Sequence, residues 1–202
     1  MFNRRTIALL LPLAFAPLGA CAIVLGIEDR ELAATAQLSC EGYCDVAMAN
    51  CTDAFALYAS RDSCLATCTK LDLGTPGDMT GNTVACRLRN AELAGQTGEK
   101  SDYCVNAGPG GNAVCGTDCE AFCKLMKATC TDEFTTDMEC MTECATVPDK
   151  GNYNIAVPLE NSIECRLYHL SSATIDITHC PHAAGIIKCV DSAMPDGGAD
   201  GG

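Results

Sequence analysis

The sequence predicts a mainly α-helical protein made of two tandem, small, disulfide-rich units, each a helical hairpin plus a third helix, following a signal peptide. Three observations carry this. Sixteen of the 17 cysteines fall into two sets of eight with the same internal order. Their closest spacings are those of a helix face, not of a strand. The chain also opens with an export signal, which delivers the cysteines to an oxidising compartment where disulfides persist.

The export signal comes first in the chain. Arg4 and Arg5 form a basic start, and Ile7 to Leu18 is an apolar stretch broken by Pro12 and Pro17. A charged start, a short apolar run and a small-residue cleavage site define a secretory signal. An uncleaved membrane anchor is the competing reading, because Ile7 to Ile27 carries no charge and is nearly long enough to span a bilayer. The two prolines and the glycines Gly19 and Gly26 within it argue against that anchor. The run ends Leu18-Gly19-Ala20-Cys21, which resembles the lipobox of bacterial lipoproteins. The resemblance implies cleavage after Ala20, diacylation of the Cys21 thiol, and a lipid anchor in the cell envelope. Ala22, where an Asp would retain such a protein at the inner membrane, implies the outer membrane. Residues 1–20 are then the signal peptide and residues 21–39 a lipidated tether.

Charge excludes one class of partner. Removing residues 1–20 takes away two arginines and no acid, which moves the net charge from −13 to −15. Nucleic acid requires clustered Lys and Arg to replace condensed counterions, and no such cluster exists here. An acidic surface also repels anionic head groups, so lipid and not charge must hold the protein at a membrane. The acids are dispersed through both repeats, the pattern of a solvated surface.

The repeat is read from matched neighbours as well as cysteines. Cys40-Glu41-Gly42-Tyr43-Cys44 aligns with Cys119-Glu120-Ala121-Phe122-Cys123, and Cys51-Thr52-Asp53 with Cys130-Thr131-Asp132. Asn82-Thr83-Val84-Ala85-Cys86-Arg87-Leu88 aligns with Asn161-Ser162-Ile163-Glu164-Cys165-Arg166-Leu167. Eight cysteine positions in register with matched neighbours point to gene duplication. The repeats span residues 40–115 and 116–189, and the Gly- and Asp-rich residues 190–202 have the composition of a disordered tail.

Within each repeat, cysteines four apart share a helix face, and Cys51 returns to the face of Cys40 after about three turns at 3.6 residues per turn. Phe55 and Phe134 extend that stripe. Cys64 and Cys68 repeat the four-residue spacing behind Ser60, which suits an N-cap, and Cys140 and Cys144 repeat that spacing. Two antiparallel helices with this spacing pair outer with outer and inner with inner: Cys40–Cys68, Cys44–Cys64, Cys119–Cys144 and Cys123–Cys140. The arrangement resembles the twin Cys-x-x-x-Cys hairpin of small mitochondrial import chaperones, a likeness of geometry over about 30 residues per unit. A third helix is expected to start at Asn82 or Thr83, and at Asn161 or Ser162. We expect it to join the hairpin through Cys51–Cys86 and Cys130–Cys165, with Cys104–Cys115 and Cys180–Cys189 closing loops. Eight cysteines allow 105 pairings, so spacing alone leaves these last four open.

The staples answer a shortage of core. The chain has five Phe, five Tyr and no Trp. A unit of roughly 70–76 residues buries only about 60% of its unfolded surface, and each native disulfide adds about 2–4 kcal/mol.

The chemistry-bearing motifs are few. No Cys-x-x-Cys, Gly-rich phosphate loop, Gly-x-Ser-x-Gly or His-Glu-x-x-His occurs. An enzyme is not expected. All three histidines, His169, His179 and His182, lie late in the second repeat, where the first repeat has Asn90, Tyr103 and Asn106. The pattern Cys-Arg-x-x-His followed by His-Cys-x-His-Ala resembles uncharacterised cysteine-rich lipoproteins of Gram-negative bacteria. Three imidazoles can hold Zn(II) or Cu(II) with an open position. Alternatively, the rings hydrogen-bond loop carbonyls or pack against disulfides, as Asn and Tyr would in the first repeat. Arg87 and Arg166, the other shared polar pair, are expected to cover helix ends or to pair with an acid of their own unit. The function expected is that of a lipid-anchored, non-catalytic structural or binding module with a protein or matrix partner. The alternative is a metal-binding or redox-sensing protein that uses the three histidines. No cofactor is expected for the module.

Overall fold

A computed structural model describes residues 38–155 and 161–189. The signal peptide, Cys21, nearly all of the tether and the C-terminal tail lie outside the described residues. The described chain is helical and disulfide-stapled, without a β-strand, as the spacing predicts. In the first repeat, α1 spans Cys40–Asn50, α2 Arg61–Cys68, α3 Val84–Thr97 and α4 Lys100–Ala107. In the second, α5 spans Asp118–Thr129, α6 Asp137–Cys144, α7 Ile163–Ala173 and α8 Cys180–Ala184.

Local sequence explains where these helices start. A helix leaves four N–H groups without partners at its first turn, and a Ser or Thr side chain can accept one of them. Ser39 accepts from Gly42 N at 3.1 Å and Ser60 from Ser63 N at 3.1 Å. Thr83 accepts from Cys86 N at 3.2 Å, and its counterpart Ser162 from Cys165 N at 3.3 Å. Thr117 and Glu120 form a reciprocal capping box at the start of α5. Gly98 and Gly185, at φ of 77° and 80°, end α3 and α8 in the left-handed conformation that costs glycine least.

The hairpins pair as their spacing requires. Cys40–Cys68 and Cys44–Cys64 bridge α1 to α2 with Cα separations of 5.5 and 5.9 Å. Cys119–Cys144 and Cys123–Cys140 bridge α5 to α6, both at 5.7 Å.

The remaining bridges differ from expectation. Cys51 pairs with Cys104 and not Cys86, and Cys86 pairs with Cys115. Likewise Cys130 pairs with Cys180 and not Cys165, and Cys165 pairs with Cys189. The reason is axial offset. Asn50, at the end of α1, donates to Ala91 O at 3.0 Å, so Cys51 lies beside the middle of α3. Five residues at 1.5 Å each put Cys86 about 7.5 Å back along that helix. Lys100 Nζ donates to Thr52 Oγ1 at 3.0 Å and brings α4, with Cys104, alongside Cys51 instead. Cys104 and Cys180 therefore sit on short fourth helices, not in closing loops. Helices α1 and α5 also stop one residue short of Cys51 and Cys130, so Phe55 lies in a separate 3-10 turn, Asp53–Phe55, and not on a continued stripe.

The two repeats share one core. One cluster of buried side chains includes Tyr43, Leu57 and Leu88 from the first and Phe122, Leu125 and Leu170 from the second. Polar contacts cross between them: Tyr153 Oη donates to Leu57 O at 3.1 Å, and Ile155 N to Ala56 O at 3.0 Å. Lys124 pairs with Asp72, and Asn112 N donates to Asp118 Oδ1 at 3.1 Å.

Inside the first repeat lies a fully buried cation. The Arg87 guanidinium donates to Gly108 O at 3.0 Å, Pro109 O at 3.0 Å, Thr83 O at 3.2 Å and Asn82 Oδ1 at 2.9 Å. It thereby ties the residues that follow α4 to the start of α3. Burial pulls Arg87 below its usual value, while Tyr43 and Tyr58 oppose that shift. The same burial raises the phenols of Tyr43, Tyr58 and Tyr153. Arg166 has a different setting, with Glu143 Oε1 at 3.4 Å and Ala184 O, at the end of α8, at 3.3 Å. Both arginines thus cover helix ends, and Arg166 also pairs with an acid of its own repeat.

Candidate metal centre

Helix α7 opens on the Ser162 cap, which places Cys165 in its first turn and His169 one turn later on the same face. Cys165 is bonded to Cys189. A 3-10 turn, Ile177–His179, then delivers His179. It is capped by Asp176, which accepts from Thr178 N at 3.1 Å and Thr178 Oγ1 at 2.8 Å. Those two bonds hold the Asp176 carboxyl below its usual range, so the cap stays ionised. His182 follows within α8, which Cys130–Cys180 ties to the end of α5.

These elements bring the three histidines together. His169 Nδ1 lies 3.0 Å from His179 Nδ1, so one ring donates and the other accepts. The rings of His169 and His182 stack at a centroid distance of 4.8 Å and an interplanar angle of 19°. His169 is buried at 6% exposure, and His182 Nδ1 lies 3.3 Å from Lys188 O. A stacked ring does not aim its lone pair at its neighbour's, so His169 and His179 are the pair whose ring nitrogens face each other. The carbonyl contact of His182 is of the kind the alternative to metal binding anticipates.

Sequence reasoning missed the sulfurs. A His169 ring nitrogen, Cys165 Sγ and Cys189 Sγ all lie within 4.8 Å of one another, and all three residues are buried. The four-residue step from Cys165 to His169 is visible in the sequence, but the expected Cys180–Cys189 loop takes Cys189 away from it, whereas the bridge formed is Cys165–Cys189.

The first repeat shows the same pocket with other chemistry. Asn90 donates to Cys86 O at 3.0 Å and approaches Cys115 Sγ at 3.3 Å. Asn106 donates to Asn90 Oδ1 at 3.2 Å, and Asn112 to Asn106 Oδ1 at 2.9 Å. The Asn90–Asn106 pair occupies the place of His169–His182. Where the first repeat has a relay of amides, the second has imidazoles beside an equivalent bridge.

A separate open groove of about 570 Å³ is lined by Phe134, Met138, Ala184 and Ile186 together with Glu133, Glu139 and Glu143. It combines apolar and acidic surface on the second repeat.

Eight disulfides among the described residues mark an oxidising environment outside the cytosol. No helix among the described residues is long and apolar enough to cross a membrane. No curated protein and no solved structure matches the chain. A family model does: the BfoA family C-terminal domain matches residues 20–119, a span that holds Cys21 and the whole first repeat.

Proposed function

We propose that this chain is a lipid-anchored, non-catalytic module of the bacterial cell envelope, in which two stapled helical repeats hold a binding surface away from the membrane. One observation carries the reading. The sixteen cysteines of the repeats pair with one another in eight bridges, so of 17 cysteines only Cys21 has no disulfide partner left in the chain. A thiol at the end of a lipobox-like signal is the one an acyl-transfer system would modify. The acid-rimmed groove beside Met138 and Ile186 supplies apolar contact area for a protein partner. The test is the mature protein itself. Its mass should show cleavage after Ala20 and an acylated Cys21, and Cys21→Ser should move it from the membrane to the soluble fraction. An unmodified Cys21, or equal partitioning of the two proteins, would overturn the reading.

A second reading is favoured by the convergence of imidazoles: Zn(II) or Cu(II) binding by the oxidised protein. Two tetrahedral ligands with metal bonds of about 2.0–2.1 Å lie about 3.3 Å apart. His169 Nδ1 and His179 Nδ1, at 3.0 Å, need only a few tenths of an ångström to open. Calorimetric titration with Zn(II) should give micromolar binding that His169→Ala and His179→Ala each abolish. Binding no tighter than millimolar would exclude it.

A further inference from the structure

We infer that the Cys165–Cys189 bridge is a redox gate on a second metal mode of this cluster: once the bridge is reduced, both sulfurs and His169 hold one zinc ion, with the fourth position open to water. The inference builds on the histidine reading above but uses a different ligand set.

The geometry is nearly in place. The two sulfurs and a His169 nitrogen already lie within 4.8 Å of one another. Zinc–sulfur bonds of about 2.3 Å at a tetrahedral angle put the sulfurs about 3.8 Å apart. Any disulfide holds its sulfurs about 2.05 Å apart, so reduction must be followed by a separation of under 2 Å. Cys189 can supply it, because it follows the exposed residues 186–188. Cys165 and Cys189 also form a small buried cluster of their own, apart from the main core. Opening this bridge leaves both hairpin bridges and Cys130–Cys180 in place.

The step balances with a dithiol as reductant. Two electrons and two protons pass to the S–S bond, giving two thiols, and the dithiol becomes a disulfide. The thiols lose their protons to solvent as zinc binds, since the thiolate is the ligand. Three protein ligands and one open position are the pattern of a reactive zinc site, not of a purely structural one.

The first repeat is a built-in control. Its equivalent bridge, Cys86–Cys115, faces the Asn90 amide, which lacks the imidazole nitrogen that zinc prefers.

The experiment reduces the full mature chain with a mild dithiol, removes the dithiol by anaerobic gel filtration, and then adds Co(II) as the spectroscopic probe for zinc. Free thiols are then alkylated and mapped by mass spectrometry. A thiolate-to-cobalt charge-transfer band should appear only after reduction, and metal should protect Cys165 and Cys189 from alkylation but not Cys86 and Cys115. His169→Ala should weaken binding by the reduced form at least tenfold, whereas His179→Ala should change it by less than threefold. The wild-type spectrum and map stand on their own if a variant fails to fold. A missing sulfur band, equal protection of Cys86 and Cys115, or a Cys165–Cys189 bridge that stays closed would overturn the inference. Metal binding by the oxidised protein with no sulfur band on reduction would leave the imidazole reading standing. Binding only after reduction would remove that reading and keep this one.

Discussion

The two repeats carry eight cysteines each with the same connectivity, yet they differ beside the fourth bridge and around the shared arginine. In the first repeat, the Cys86–Cys115 bridge meets a relay of amides, and Arg87 is fully buried against carbonyls and Asn82. In the second, Cys165–Cys189 meets imidazoles, and Arg166 reaches Glu143, whose side chain is 46% exposed. The comparison separates two layers of the design. The bridges and helix caps hold the skeleton, and any residue that satisfies the local hydrogen bonds can line the pocket beside it. The same skeleton therefore carries amides beside this bridge in one copy and imidazoles in the other.

The largest expected effect tests the common skeleton. Replacing both Cys51 and Cys104 by Ala removes a bridge across 53 residues, and replacing Cys165 and Cys189 removes one across 24. The chain-entropy relation puts the losses at about 4 and about 3.5 kcal/mol. Guanidinium unfolding of the oxidised proteins should rank them in that order. A larger loss in the second repeat would mean that the bridges act through native contacts and not through loop closure.

The arginines should differ more. Arg87→Met leaves buried carbonyls of Gly108 and Pro109 without a donor and should cost about 3 kcal/mol. Arg166→Met breaks a pair with a half-exposed carboxylate and leaves one buried carbonyl, Ala184 O, without this donor, and should cost about 2 kcal/mol. Equal losses would remove the distinction drawn between the two sites.

A smaller effect concerns Glu164, which stands where the first repeat has Ala85. Burial raises its pKa, while Ser162 and Lys150 N oppose the shift, the latter donating to Oε1 at 2.7 Å. A carboxyl raised on folding adds no penalty below its unfolded value and its full penalty above its folded value. Stability should therefore fall as pH rises from the carboxylate range towards neutrality. Glu164→Gln should flatten that fall and raise the thermal midpoint near neutral pH, leaving the acidic end unchanged. A steeper fall in the variant would contradict the assignment.

The smallest stability change is expected for His169→Asn, which installs the residue of the first repeat. We expect a change within about 1 kcal/mol by urea unfolding, together with loss of metal binding. A large destabilisation would mark His169 as a packing residue.

Much of this fold was legible in the cysteine spacing. The four-residue steps in Cys40–Cys44 and Cys64–Cys68 are local, and so are the Ser and Thr caps at Ser60, Thr83 and Ser162, because each depends on residues within one or two helical turns. The cluster of His169, His179 and His182 was visible only as three residues close in the chain. Whether their rings met depended on the turn at Ile177–His179 and on the anchoring of α8 by Cys180.

By itself, then, the order of residues determined the duplication, the helical hairpins with their four bridges and the start of each third helix. These follow from periodicity and capping, which act over a few residues. Only the tertiary structure decided that Cys51 meets Cys104, that Cys165 meets Cys189 beside His169, and that both repeats close on one core. Those outcomes depend on how far one helix slides along another. An offset of about one and a half turns is set by the packing of side chains such as Asn50 against Ala91, distant in sequence, and no spacing rule within the chain encodes it.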